Sequence, residues 1–243
     1  MNIQSIIDQQ SNYTQDKVIL LAHILNKDKS FIYAHPEYQL SLSEKRQFDD
    51  YYSKIIDEIP LAYIVREKEF YSRRFYIDRR VLIPRPETEA IVDQSVNQLK
   101  DRKEPISVLE VGVGSGTLLI SIILELKKRG IKPINIIGAD ISQEALTVAK
   151  MNLRRYHLQH QVRLIQSDLF KKIPKYKFDL ILANLPYLPS VESRLNKYEP
   201  QIALDGGVNG NELLQKFISQ IEEFRKPNGI VVIEKYNGDI EIL

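Results

Sequence analysis

Residues 106–116 read ISVLEVGVGSG, a short apolar run followed by three glycines at alternate positions. Ile106–Val111 has the length and composition of a buried strand. Gly112, Gly114 and Gly116, with Val113 and Ser115 between them, form a strand-to-helix turn. Glycines there permit a tight turn and let a ligand approach the backbone. The dinucleotide fingerprint G-x-G-x-x-G is not met, because position 117 is Thr. The spacing is G-x-G-x-G with an acid, Glu110, two residues before the first glycine. Such a loop suits a nucleoside with no pyrophosphate to cradle, although a glycine-rich turn with no ligand would read the same way.

Downstream of this turn, strands and helices alternate. Thr117–Arg129 is a strongly apolar helix, and Ile134–Ala139 a second buried strand ending at Asp140. Ser142 can cap a helix reaching about Tyr156, with Glu144 in its first turn. Val162–Gln166 is a third strand and Phe178–Ala183 (FDLILA) a fourth. Glu212–Arg225 reads as a helix and Gly229–Glu234 (GIVVIE) as a fifth strand. This pattern predicts an α/β fold with a mainly parallel sheet covered on both faces.

Ligands of open α/β sheets bind outside the carboxyl ends of the strands. Asp140, at the second strand end, can accept from both ribose hydroxyls, or is simply an acid preceding a helix. Ser167-Asp168-Leu169 follows the third strand. Asp168 could accept from an adenine amino group while Leu169 flanks the ring; Asp in a loop is also common. The fourth strand ends in Asn184-Leu185-Pro186-Tyr187. A buried strand closing on a polar amide, a Pro-stiffened turn and an aromatic is poorly explained by packing alone. It suits a holder for a planar NH2 group: the Asn184 oxygen and a nearby backbone carbonyl accept the two N–H bonds, and the Tyr187 ring covers the plane.

Upstream, residues 1–58 hold one Pro and no Gly. Asp16–Leu25 places Val18, Leu21, Ala22 and Leu25 on one stripe, and Ser41–Ile56 starts with a capping box, Ser41 to Glu44. Across 61–83 the pattern changes to alternation, EKEFYSRRFYIDRRVLI from Glu67, which predicts a hairpin turning near Ser72–Arg74. Pro84 and Pro86 interrupt it, and Thr88–Lys100 is helical again. The expected organisation is a helical domain over 1–60, a hairpin linker over 61–83 and an α/β domain over 84–243.

The 243 residues include 34 Lys+Arg against 32 Asp+Glu, a net charge of +2, and no cysteine. So balanced a chain is no bulk electrostatic binder of nucleic acid. The missing cysteines exclude a disulfide framework, a thiolate metal site and a Cys nucleophile. His23, His35, His157 and His160 are scattered, and no metal site is expected. The chain lacks an apolar run long enough to span a membrane and opens without a secretory pattern, so no membrane association and a cytoplasmic location are expected.

Glu110–Gly116, Asp140, Asp168 and Asn184–Tyr187 together resemble the seven-strand, Rossmann-like class I methyltransferases that use S-adenosylmethionine. The tetrapeptide resembles the (N/D/S)-x-P-(Y/F) signature of enzymes that methylate amino groups on planar systems. Val81–Glu89, VLIPRPETE, is similar to the segment preceding the core of the release factor glutamine N5-methyltransferases, the HemK family. Tyr198–Gly210, YEPQIALDGGVNG, resembles the same family's YEP…AL.GG..G stretch. The resemblance runs from about Asp16 to Tyr236. It implies a core sheet in the order 3-2-1-4-5 and methyl transfer from S-adenosylmethionine to the glutamine side-chain amide in the GGQ motif of class 1 peptide chain release factors. S-adenosylhomocysteine would be the other product. The chain would act as a monomer on a protein partner, with no nucleic acid involved.

By this resemblance the cofactor is held by Glu110, Gly112–Gly116, Asp140, Asp168, Leu169 and Asn184. The acceptor amide meets Asn184, Leu185, Pro186 and Tyr187, with Asn184 and Tyr187 catalytic, while Arg85 and Glu87 border the channel. Leu185 departs from the family's usual Pro, and Arg66 and Ser72 stand where Gly is frequent. The family's closing helix and antiparallel strand pair find no room in 237–243, so the sheet is expected to stop at its fifth strand, leaving that strand as an open edge. Two rivals remain: an adenine N6-methyltransferase acting on nucleic acid, whose motif NLPY also resembles, and a methyltransferase fold kept for binding alone.

Overall fold

The computed structural model describes residues 1–9, 13–235 and 238–243. The chain divides into two compact units, Met1–Arg66 and Glu67–Leu243.

The first unit is helical: α1 (Ile3–Ile7), α2 (Thr14–Leu25), α3 (Lys29–Ala34), α4 (Leu42–Ile56) and α5 (Leu61–Val65). Helix α4 carries the predicted capping box, with Ser41 Oγ accepting from Glu44 N–H and the Glu44 carboxylate accepting from Ser41 N–H. The predicted stripe of α2 is buried: Val18, Leu21 and Ala22 pack with Ile3, Ile6 and Phe48 in a core of their own. Residues 61–65, assigned to the strand-rich segment by sequence, are helical. Arg66 ends that helix at φ 54°, a left-handed conformation that favours glycine.

The second unit opens with a hairpin, β1 (Glu67–Phe70) and β2 (Arg73–Tyr76), paired antiparallel. Its two-residue turn, Tyr71-Ser72, has φ 50° and 55°, the primed geometry whose twist matches that of the strands. The remaining elements are α6 (Glu89–Gln98), β3 (Ile106–Val111), α7 (Thr117–Lys128), β4 (Pro133–Asp140), α8 (Gln143–Arg155), β5 (Val162–Gln166), β6 (Phe178–Ala183), β7 (Leu188–Pro189), α9 (Ser190–Ser193), β8 (Asp205–Gly207), α10 (Glu212–Ile218), β9 (Arg225–Glu234) and β10 (Ile240–Ile242). The main sheet runs β10-β9-β6-β3-β4-β5, parallel from β9 to β5. The five parallel strands stand in the expected order 3-2-1-4-5, and the chain has the class I methyltransferase fold.

Alternation in the strands divides the core between two faces. Leu109, Val111, Ile181, Ala183, Val231 and Ile233 pack with Phe170, Phe217 and Phe224 on one face. The intervening Val108, Leu180 and Val232 are equally buried and face the other side. Helix α8 keeps its predicted Ser142 cap.

Two further expectations fail. The helix over 212–225 stops at Ile218, and β9 begins at Arg225, four residues earlier than read. The fifth strand is also not an open edge. Ile240–Ile242 turns back and pairs antiparallel with Val232–Glu234. Three residues are enough for this, because a two-stranded return needs only a tight turn and one apolar side to place against the sheet. Tyr236 and Asn237, where the family resemblance ends and the final stretch begins, lie outside the described residues.

Candidate active site

The carboxyl ends of β3, β4, β5 and β6 converge on one cleft of about 520 Å³, a size suited to a nucleoside-sized ligand. Glu110, Gly112, Val113, Gly114 and Ser115 contribute from the first strand end. Asp140 contributes from the second, Asp168 and Leu169 from the third. Asn184, Leu185 and Pro186 come from the fourth, and Arg85 from the segment before the core. Three predicted residues stay outside the lining. Gly116 sits behind the turn against Ala149, Tyr187 turns toward Glu234, and Glu87 packs near Gly238.

The glycine turn is held from the neighbouring strand. The N–H groups of Gly112 and Val113 donate to the Ala139 carbonyl at 2.8 and 2.9 Å. Gly112 has φ 79°, and a Cβ there would stand 3.1 Å from Leu185 Cδ2. Its lack of a side chain thus lets the first and fourth strand ends approach.

Glu110 is 2% exposed, and its Oε2 has no hydrogen-bond partner among the described residues. Burial pushes its carboxyl well up, the Asp140 charge adds to this, and a hydrogen bond from the Leu119 backbone opposes it. Asp140 accepts from Gly114 N–H at 2.8 Å and from Ser142 N–H at 2.9 Å, one bond to each oxygen. Burial raises its carboxyl despite these donors. The Ile141 backbone also donates to this carboxylate, which with its four acceptor positions keeps room for a ligand hydroxyl. The cleft therefore holds a buried acid with a spare oxygen, a carboxylate at the second strand end and a glycine-rich turn.

Asp168 is more engaged than the sequence suggests. Its oxygens pair with Lys171 Nζ at 2.6 Å and Lys216 Nζ at 3.4 Å. The Lys171 hydrogen bond, chiefly, lowers its carboxyl. Leu169, at φ 47°, is buried under the same wall. For a branched side chain this conformation costs about 1–2 kcal/mol, so surrounding packing must enforce it.

Asn184 presents a defined polarity. Its Nδ2 donates to Thr88 Oγ1 and to Glu234 Oε2, both at 3.0 Å. Nδ2 thereby faces two acceptors, and Oδ1 is left on the opposite branch as an acceptor. A flap covers this end. Leu188–Pro189 pairs with Asp205–Gly207 to form a two-stranded sheet. A Cβ on Gly206 would fall 2.7 Å from the Pro186 carbonyl oxygen and 2.3 Å from that of Gly210, so no other residue fits. This close approach accounts for the glycines of the YEPQIALDGGVNG stretch.

Sequence reading missed three residues here. Glu199 pairs with Arg85 at 2.6 Å and accepts from Ile83 N–H at 3.1 Å, tying the VLIPRPETE and YEP segments together. Thr88 donates to Glu234 at 2.7 Å. Glu234 was read only as the end of a strand. Its one signal was a carboxylate closing the otherwise apolar run GIVVIE.

Comparison with known proteins agrees with this architecture. A methyltransferase-domain family matches residues 102–241, and the PrmC N-terminal domain matches residues 6–65. The bifunctional methyltransferase of Rickettsia prowazekii is 34% identical over 238 residues, covering 89% of this chain and 45% of that protein. The chain spans about half the length of such relatives. The release factor glutamine methyltransferase of Clostridium acetobutylicum is 31% identical, with 91% of this chain and 78% of that protein covered. That of Koribacter versatilis is 33% identical, with 89% and 76% covered. With both domains matched in order and these relatives covered over three quarters of their length, the chain belongs to the release factor glutamine methyltransferase family.

Proposed function

We propose that this protein transfers a methyl group from S-adenosylmethionine to the side-chain amide nitrogen of the glutamine in the GGQ motif of class 1 peptide chain release factors. The observation that carries the reading is the polarity of Asn184. With Nδ2 committed to Thr88 and Glu234, Oδ1 is the acceptor that Asn184 has to offer in the cleft it lines. A primary amide brings two N–H donors. Asn184 Oδ1 and the Leu185 carbonyl would supply a matching pair of acceptors. The names of the relatives support the same substrate.

An amide nitrogen is a weak nucleophile because its lone pair is delocalised into the carbonyl. S-adenosylmethionine, when bound, supplies a methyl group on a sulfonium, an electrophile strong enough to need no further activation. Two acceptors on the amide protons localise the lone pair and fix the nitrogen in one direction. Positioning of this kind supplies about 7–11 kcal/mol of a barrier when the geometry is right. The amide loses one proton overall, for which the neutral product leaves water as the acceptor. Glu110 and Asp140 would hold the cofactor's cationic and hydroxyl groups, and Asp168 and Leu169 would flank its base. The ring of Tyr187 would border the amide. The PrmC-like N-terminal unit would grip the release factor.

The test is mass spectrometry of an unmethylated class 1 release factor after incubation with the protein and S-adenosylmethionine. One added methyl on the GGQ glutamine, lost with Asn184→Ala, is the expected result. Methylated adenine in a nucleic acid, with the release factor untouched, would establish the rival acceptor instead. Cofactor binding without transfer to either would make the chain a binding module.

A further inference from the structure

Glu234 closes β9 at the point where the parallel strands end, and it is 2% exposed. A buried carboxylate is costly unless donors surround it. Here three converge. Thr88 Oγ1 donates to Oε2 at 2.7 Å, Asn184 Nδ2 to Oε2 at 3.0 Å, and Tyr187 OH to Oε1 at 3.3 Å. Thr88 and Asn184 form part of the cleft wall, while Glu234 lies behind them. The donors come from two distant parts of the chain, Thr88 and the Asn-Leu-Pro-Tyr turn, which supplies two of them.

We propose that Glu234 is a positioning residue for the acceptor site. It acts by holding the Asn184 amide with Oδ1 toward the substrate. The physical reason is that an asparagine amide is nearly symmetric in shape and antisymmetric in polarity. Packing alone does not distinguish its two orientations. A carboxylate does, because it accepts only: Nδ2 is held at Glu234, whereas Oδ1 in the same place would face a negative charge. Thr88 reinforces the choice. Its hydroxyl proton is given to Glu234, so it too can only accept from Nδ2. Without Glu234 the hydroxyl could turn and donate to Oδ1. The amide would then flip and present donors to a substrate that itself brings donors.

This inference rests on the function proposed above, and the experiment separates the two. Steady-state kinetics on the release factor and cofactor titrations are measured for wild type, Glu234→Leu, Glu234→Gln, Asn184→Ala and the double variant Asn184→Ala/Glu234→Leu. Leu fills the space without accepting; Gln still offers one oxygen to Asn184. Glu234→Leu is expected to lower kcat by about 10²-fold, the scale for a lost orienting contact at a reacting centre, with cofactor Kd unchanged. Glu234→Gln should recover most of that loss. The double variant should be no slower than Asn184→Ala alone, because residues acting through one another are not additive. A further drop on the Asn184→Ala background, or cofactor affinity falling in step with kcat, would overturn the proposal in favour of a structural staple.

A second readout needs no substrate. In the full-length protein, the Asn184 side-chain NH2 signals should exchange slowly with solvent, and the proton bonded toward Glu234 should shift in Glu234→Gln, which folds even if the Leu variant does not. Unmoved signals would sink the proposal. An inactive wild type with a shifted Asn184 signal would count against the assigned substrate and leave the positioning role standing.

Discussion

The two ends of the cleft are built differently. The end proposed for the cofactor draws on Glu110–Gly116 and Asp140, residues at the tips of two adjacent strands, and its contacts join neighbouring turns: Gly114 and Ser142 donate to Asp140. The end proposed for the acceptor draws on Thr88, Asn184, Tyr187 and Glu234, brought together from three parts of the chain, and on a flap whose close approach requires glycine at 206 and 210. A binding loop can be specified locally because backbone groups do much of the work. Polarity at a reacting group needs a network, since each side chain's orientation is set by another.

This contrast predicts separable defects. The largest is expected at the acceptor end. Asn184→Ala should lower kcat by about 10²–10³-fold while cofactor affinity stays at the wild-type level, the mark of an interaction realised in the transition state. A parallel loss of cofactor binding would erase the division. Asp140→Ala should do the converse. Losing a charged acceptor of about 1.5–3 kcal/mol weakens cofactor binding by roughly 10–150-fold, with kcat at saturating cofactor little changed. Isothermal titration beside steady-state kinetics checks both.

Gly112 is where the two ends touch, so Gly112→Ala should blur them. The left-handed φ costs a side chain about 1–2 kcal/mol, and the added methyl presses on Leu185. Lower thermal stability, weaker cofactor binding and slower turnover should appear together, and a defect confined to one of them would sharpen the boundary instead. The smallest effect is expected at Lys171. The Lys171–Asp168 pair is partly exposed and worth about 0.2–1 kcal/mol. Its contribution is present above the ordinary Asp range and lost as pH falls through the lowered Asp168 value. Lys171→Ala should flatten this slight acid sensitivity in thermal melts. It should also strengthen cofactor binding slightly if Asp168 contacts the adenine, since a competitor for the carboxylate is gone.

Most of the fold was legible in the sequence. Strands β3 and β6 fall on the residues read from their apolar runs, β5 on Val162–Gln166 as read, and α4 starts on its capping box. These signals are local: burial on both faces demands a continuous apolar run, and a helix start demands acceptors for its free N–H groups. The glycines expected at 66 and 72 are absent, yet both residues adopt the left-handed φ those glycines would have served. The early end of α10 and the pairing of Ile240–Ile242 with β9 were not legible. Both depend on what lies across the sheet.

The site divides in the same way. The sequence by itself determined which residues stand at the strand ends, because strand periodicity and the carboxyl-end rule place them without reference to the rest of the chain. It named Asn184 but could not orient it. Only the tertiary structure did that, through Glu234 and Thr88, which are 50 and 96 residues away. It also decided that Asp168 is held by lysines and that Arg85 is tied to Glu199. Hydrogen-bond direction belongs to pairs of groups, and a pair exists only once folding has set both partners within about 3 Å of each other.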